Sequence, residues 1–416
     1  MVQGESARAE WARGWPTVAS GGIGMVVVSG VATVTGVVMQ PLAAQFGWSR
    51  TLITANVMIC SVLTLLLAPA IGHLIGRHGV RRCAIVGILT AIPAIAAIAL
   101  NPGSAAWWIG SWIVFGIFNT LLGPLLWSTA TTQIFDRARG LALAITLSGG
   151  GLAFALFPPL ALRIVEHSGW RGVYLAFAAL FALVLLPVTL VWFHGRPAVD
   201  AAAFGSGAGS AARRGGASPA LARALRGRHF WQLALVCLLV AGVEGAMAIH
   251  LFPILREGGL APGAAATAAS TMGAAMVVGR LGTGFMQDRW PARHVFAAAI
   301  AAIALSCGLA RVFAGEYWQG VLIATLLGLG AGGTINSLAY LTGRYFGLAA
   351  YASIFGLLMG LFAVGYGAAP MAASHARELA DSYAPQFPGF IAVLLLCVVL
   401  SIMMGREPDR TTAGLP

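Results

Sequence analysis

The chain has 416 residues, of which 9% are charged and 59% are hydrophobic, with a formal net charge of +12. A soluble domain carries about 25% charged residues, and a mean hydropathy of +0.85 leaves too few polar groups to cover a water-exposed surface. This excludes a disordered chain, a secreted disulfide scaffold and an ordinary soluble enzyme, and it points to a protein built mainly from membrane spans. All 25 basic residues are Arg. The absence of Lys matches an Ala-, Gly- and Arg-rich composition and carries no functional signal. The five cysteines, Cys60, Cys83, Cys237, Cys307 and Cys397, stand singly in apolar runs, so neither a metal site nor a disulfide framework is expected.

A span needs about 20 mainly apolar residues. In chain order, such runs fall near 18–45, 50–75, 83–101, 105–134, 140–163 and 170–193. The first is too long for the apolar core of a cleavable signal and opens a series of spans, so no leader is expected. Residues 194–229 differ in kind: they are rich in Gly, Ala and Arg and read as a solvated linker, with a short basic amphipathic helix near 219–228. Six more runs follow near 230–254, 261–286, 293–313, 318–342, 347–372 and 387–404. The expectation is an all-α integral membrane protein with twelve transmembrane helices in two six-helix bundles, 1–193 and 230–416, joined by the linker 194–229.

With the N-terminus inside, eighteen arginines fall in cytoplasmic segments, six fall outside, and Arg280 lies within a span. This bias places both termini in the cytoplasm. The basic charge then serves orientation against anionic lipid, and a nucleic-acid partner is not expected. The halves also repeat weakly. GHLIGRHGVRR (Gly72–Arg82) and GRLGTGFMQDRWPARH (Gly279–His294) both place small residues at a helix end before a short basic loop. Parallel six-helix repeats imply a substrate path between halves that rock against each other.

These loops resemble the cytoplasmic motif of the major facilitator superfamily, roughly G-x-L-x-D-R-x-G-R-R, and the resemblance covers nearly the whole chain. Gly72, Leu74, Arg77, Gly79, Arg81 and Arg82 match it in the first half, where Gly76 replaces the usual Asp. Gly279, Gly284, Asp288 and Arg289 match it in the second. The resemblance implies the major facilitator fold and a charge–dipole gating latch, with its first-half acid missing. GVVMQPLAAQFGWSRT (Gly36–Thr51), RGLALAITLSGGGLAFALFPPL (Arg139–Leu160) and GWRGVY (Gly169–Tyr174) are similar to the monocarboxylate and oxalate/formate branch. That branch implies transport of a small organic anion across a bacterial inner membrane by a carrier without cofactor or metal, expected to be monomeric, with protons and lipid as its other partners. Gln40 stands where many relatives have Lys or another polar residue, and span 11 lacks the cation of oxalate carriers.

Arg280 is the leading candidate for substrate binding. It stands two helical turns, about 12 Å, inside Asp288, and a charge at that depth is costly. A guanidinium grips a carboxylate by a two-point fork; the bland alternative is that Arg280 snorkels toward the loop. Glu244 in VAGVEGAMAIH is read as the carboxylate clearly inside a span and as the candidate proton carrier; its alternative is a structural pair. His250, further toward the outer end, fits a hydrogen-bonded interfacial residue better than a proton relay. Asn119, Asn336, Tyr340 and Gln40 are candidate substrate contacts, against a role as helix-to-helix glue. The Gly-rich runs near 149–151, 328–333 and 356–360 are read as helix-packing positions rather than phosphate cradles, and Pro158 and Pro159 as a kink in span 5. The alternatives carried beside an anion symporter are an anion exchanger, a proton-antiporting drug or metabolite exporter, and a transporter-like sensor. Exporters of the superfamily commonly carry Arg in span 4, where this chain has none. A membrane-bound enzyme would need clustered His, Asp or Cys near the membrane face, which the sequence lacks.

Overall fold

The computed structural model describes residues 7–135, 138–193, 224–287 and 289–405. Most of the linker, together with Asp288 and Arg137, lies outside the described residues. The described residues are all-helical. The helices are α1 (Ala7–Thr33), α2 (Thr35–Phe46), α3 (Arg50–His78), α4 (Val80–Ala99), α5 (Ala105–Leu121), α6 (Pro124–Ile134), α7 (Arg139–Leu180) and, after a π-helical turn at Phe181–Leu185, α8 (Leu186–Trp192). They continue with α9 (Arg228–Glu257), α10 (Pro262–Gln287), α11 (Ala292–Arg311), α12 (Tyr317–Ala380) and α13 (Phe387–Ile402).

Ten of the described stretches are long and apolar enough to cross a membrane. One of them, Gly140–Trp192, covers the range of two expected spans. Its backbone leaves helical geometry at Gly169 (φ 70°), a conformation open to glycine at little cost, rather than at Pro158 or Pro159. The helix α10 is not among the ten. Its Ala, Gly and Thr content and its Arg280 lower its hydropathy. Large apolar side chains such as Leu66, Leu183, Leu305 and Leu379 lie exposed on the helix surfaces. That pattern suits a protein solvated by lipid tails. Four of the cysteines are buried and Cys60 is half-buried.

Two compact units are present. The first comprises Met1–Trp48 with Val62–Gly209, and the second Ser49–Ser61 with Ser210–Pro416. The boundary therefore divides α3, whose first turns belong to the second unit.

Inside the first unit α1 packs against α7. A Cβ at Gly149 would overlap the carbonyl oxygen of Gly22, so the two backbones touch. Glu10 is buried and accepts a hydrogen bond from the Ala138 amide (3.0 Å), which places a carboxylate at the N-terminus of α7. Glu10 stands in the first turn of α1, and Glu166 lies exposed beside the break of α7 at Gly169.

Candidate functional site

In the second unit the long helix α12 meets α9 and α10 through small residues. A Cβ at Gly245 would overlap the carbonyl oxygen of Tyr366, and one at Gly365 that of Leu238. On the other flank, Gly279, Gly328 and Gly332 face the carbonyl oxygens of Leu329, Met272 and Met276 with no room for a methyl group. Helices that meet backbone to backbone hold their polar side chains at fixed positions. These contacts bring Glu244 of α9, Arg280 of α10 and Thr334 of α12 together.

Glu244 is buried, and its Oε2 lies 3.2 Å from Thr334 Oγ1. The same hydroxyl lies 3.1 Å from the Ala331 carbonyl oxygen. A hydroxyl has one proton and a carbonyl only accepts. Both bonds are therefore complete when Glu244 supplies a proton of its own. Arg280 is half-buried and its charge is felt at Glu244. Asn336 donates from Nδ2 to the Arg280 carbonyl oxygen (3.4 Å) and to Thr283 Oγ1 (3.3 Å), so it fastens α12 to the backbone that carries the guanidinium. Tyr340, one turn further along α12, is half-buried. The sequence reading missed Tyr366, which sits opposite Gly245 within the field of Glu244. Aromatic residues are common in spans, so nothing in the sequence marked it.

The other two candidates belong to the first unit. Asn119 is half-buried in α5 of the first unit, and its buried Oδ1 has no hydrogen-bond partner. Gln40, midway along α2, is exposed.

The described gating-motif residues make separate contacts. Gly72 and Gly76 face open space and Arg77 is exposed. Gly79 (φ 82°) begins α4. Arg81 donates to the Leu190 carbonyl oxygen near the end of α8 (2.6 Å). In the second unit Arg293, at the start of α11, donates to the Met404 carbonyl oxygen just past the end of α13 (2.9 Å). Each unit thus sets an arginine against the negative end of its own last helix. Arg289 packs its guanidinium 3.5 Å from the Phe285 ring centroid and donates to the Phe285 carbonyl oxygen. Asp288 lies outside the described residues.

Described residues that are all-helical, with ten stretches long and apolar enough to cross a membrane, have the makeup of an integral multi-pass membrane protein. The family model described as Major Facilitator Superfamily matches residues 21–370, and the chain belongs to that family. It is similar to an uncharacterized MFS-type transporter, YcxA, of Bacillus subtilis (strain 168), with 26% identity over 275 residues. That match spans 62% of this chain and 61% of the relative's length. A shorter likeness, 36% identity over 63 residues, links it to the riboflavin transporter RibJ of Trypanosoma brucei brucei (strain 927/4 GUTat10.1). It covers 15% of this chain and 12% of that protein. Among solved structures, the nucleoside transporter NupG superposes with a TM-score of 0.74 at 12% identity, over 94% of this chain and 100% of that one. At that identity the likeness concerns the fold.

Proposed function

We propose that this chain is a secondary carrier that moves a small organic anion, a monocarboxylate, across a bacterial inner membrane by alternating access with proton symport. Its architecture in this reading is twelve spans with both termini in the cytoplasm. The observation that carries the reading is the bond between Thr334 and Glu244, with the charge of Arg280 acting on that carboxyl. One guanidinium offers the two-point grip that one carboxylate needs. One carboxyl beside it, bonded in a way that completes when protonated, supplies a site for the co-transported proton. A substrate carboxylate arriving at Arg280 takes over its charge, and Glu244 then rests neutral against Thr334. Empty and fully loaded sites are both close to neutral, and these are the states best suited to reorientation in lipid.

The exporter reading is weaker, since α5 and α6 contain no arginine. The likeness to riboflavin transporters makes a neutral heterocycle worth including as a probe. The deciding experiment is reconstitution of the full chain into liposomes with labelled lactate, pyruvate, formate, oxalate and riboflavin, with and without an inward proton gradient. The expected result is gradient-stimulated uptake of at least one monocarboxylate. Flux of no anion under either condition, or flux of riboflavin alone, rejects the reading.

A further inference from the structure

A second polar network, buried around His250 and exposed at Glu257, stands at the end of the second unit where α3 begins and where α9 and α12 end. Glu257 Oε1 accepts from Arg50 Nη1 (3.0 Å) and from Arg377 Nε (2.9 Å). Arg50 Nη1 also donates to Tyr383 Oη (3.0 Å). Tyr383 Oη lies 2.8 Å from His250 Nδ1. His250 Nε2 in turn lies 2.9 Å from the Pro370 carbonyl oxygen and 3.3 Å from Ser374 Oγ, which reaches Thr54 Oγ1 at 3.0 Å. Alongside, Thr51 gives both its amide and its hydroxyl to the two carboxylate oxygens of Glu378, each at 2.9 Å. The first turns of α3 are therefore fastened to α9 and α12 by one connected set of bonds.

The donor count fixes the state of the imidazole. The Pro370 carbonyl only accepts, so Nε2 carries a hydrogen. An arginine only donates, so the Arg50 bond occupies a lone pair of Tyr383 Oη. Burial pushes the Tyr383 phenol up to about 12, against the opposing pull of Arg50, so the phenol keeps its hydrogen. The partner within reach of that hydrogen is His250 Nδ1, and a bare Nδ1 accepts it. The neutral Nε2–H ring completes every bond of the closed network. A proton on Nδ1 would set N–H against O–H and add positive charge beside Arg50.

We propose that His250 is a proton-binding site, distinct from Glu244, and that proton uptake at its Nδ1 opens this network and releases the first turns of α3 from α9 and α12. The site stands on this bonding pattern alone and does not depend on the anion reading. The charged and titratable groups around it are Arg50 from α3, Glu257 from α9, Arg377, Glu378 and Asp381 from α12, and Tyr383 beyond it. The two glutamates are hydrogen-bonded or ion-paired in the closed network. His375, exposed on α12, is the other imidazole nearby. An opened network exposes His250 to water, where a free imidazole titrates at about 6.5. By linkage the opening equilibrium grows about tenfold between pH 7.5 and pH 5.5.

Hydrogen–deuterium exchange of the purified full-length protein, corrected for the intrinsic pH dependence of amide exchange, reads this directly. In the wild-type protein and in His375→Gln, protection of peptides covering 50–56 and 374–383 is expected to fall about tenfold from pH 7.5 to pH 5.5. His250→Gln is expected to show no such fall, and Tyr383→Phe to be weakly protected at both values. PH-independent protection in the wild-type protein overturns the proposal whatever the variants do. So does a wild-type pH response in His250→Gln or Tyr383→Phe. A spectrum of ¹⁵N-histidine-labelled wild-type protein at pH 7.5 gives a further check that needs no variant: His250 resonances other than those of the neutral Nε2–H tautomer overturn it too.

Discussion

Thr334 presents one hydroxyl to two acceptors, Glu244 Oε2 at 3.2 Å and the Ala331 carbonyl oxygen at 3.1 Å. Replacing it separates the bonding from the space it fills. Thr334→Val keeps the shape and leaves a buried carboxyl without its partner, which costs about 1–3 kcal/mol. Thr334→Ser keeps the bond and is expected to cost less. Thermal unfolding of the two variants in detergent measures the difference, and equal loss would mean that the bond contributes little.

Arg280 is expected to need its fork as well as its charge. Arg280→Lys should lower anion uptake at least about tenfold, the effect of losing roughly 1.4 kcal/mol of binding. Arg280→Gln should bring it to background at wild-type abundance. Initial-rate uptake in proteoliposomes decides this, and unchanged transport in both variants would remove Arg280 from the site.

Glu244→Gln retains an acceptor for Thr334 and loses the titrating group. Uptake by this variant is expected to become independent of the proton gradient while exchange of anion for anion persists. A gradient dependence matching the wild-type protein would exclude Glu244 as the proton carrier.

The glycine contacts predict a sharp contrast. A methyl group at Gly332 overlaps the Met276 carbonyl oxygen, whereas one at Gly356 meets nothing within 4 Å. Gly332→Ala should destabilise by about 1–3 kcal/mol through overpacking and should weaken uptake by shifting Arg280. Gly356→Ala should match the wild-type protein in unfolding temperature and transport.

The first gating loop supplies a gain-of-function test. Gly76 faces open space, so Gly76→Asp restores the acid of the family motif without a clash. A change of more than a few fold in transport rate, at unchanged stability, would show that the missing acid sets the gating equilibrium. The arginine caps behave differently. Arg293→Gln removes a bond to a helix end and should cost about 0.3–1 kcal/mol, read as a lower unfolding temperature.

Much of the fold was legible because the membrane imposes one strong rule. Without water, each backbone group must be satisfied within its own segment, so apolar length alone marked most spans. It failed at α10, where close packing selected small residues and the hydropathy fell. It also gave no warning that the break in α7 comes at Gly169 rather than at Pro158 or Pro159, since a helix accommodates proline when neighbouring groups adjust. The buried Glu10 went unmarked because its partner is an amide 128 positions away.

The candidate site divides the same way. The sequence by itself determined the kind of group present: one arginine and one glutamate deep in apolar helices, each too costly to keep there without a purpose. Only the tertiary structure decided which groups meet. Glu244 and Thr334 are 90 positions apart, and Asn336 reaches α10 across 56. Likewise Arg50, Glu257, His250 and Tyr383 form one network although up to 333 positions separate them. Hydropathy is a local property summed along the chain. Hydrogen-bond partnership depends on how close helices pack, and here glycines facing backbone carbonyls set that closeness.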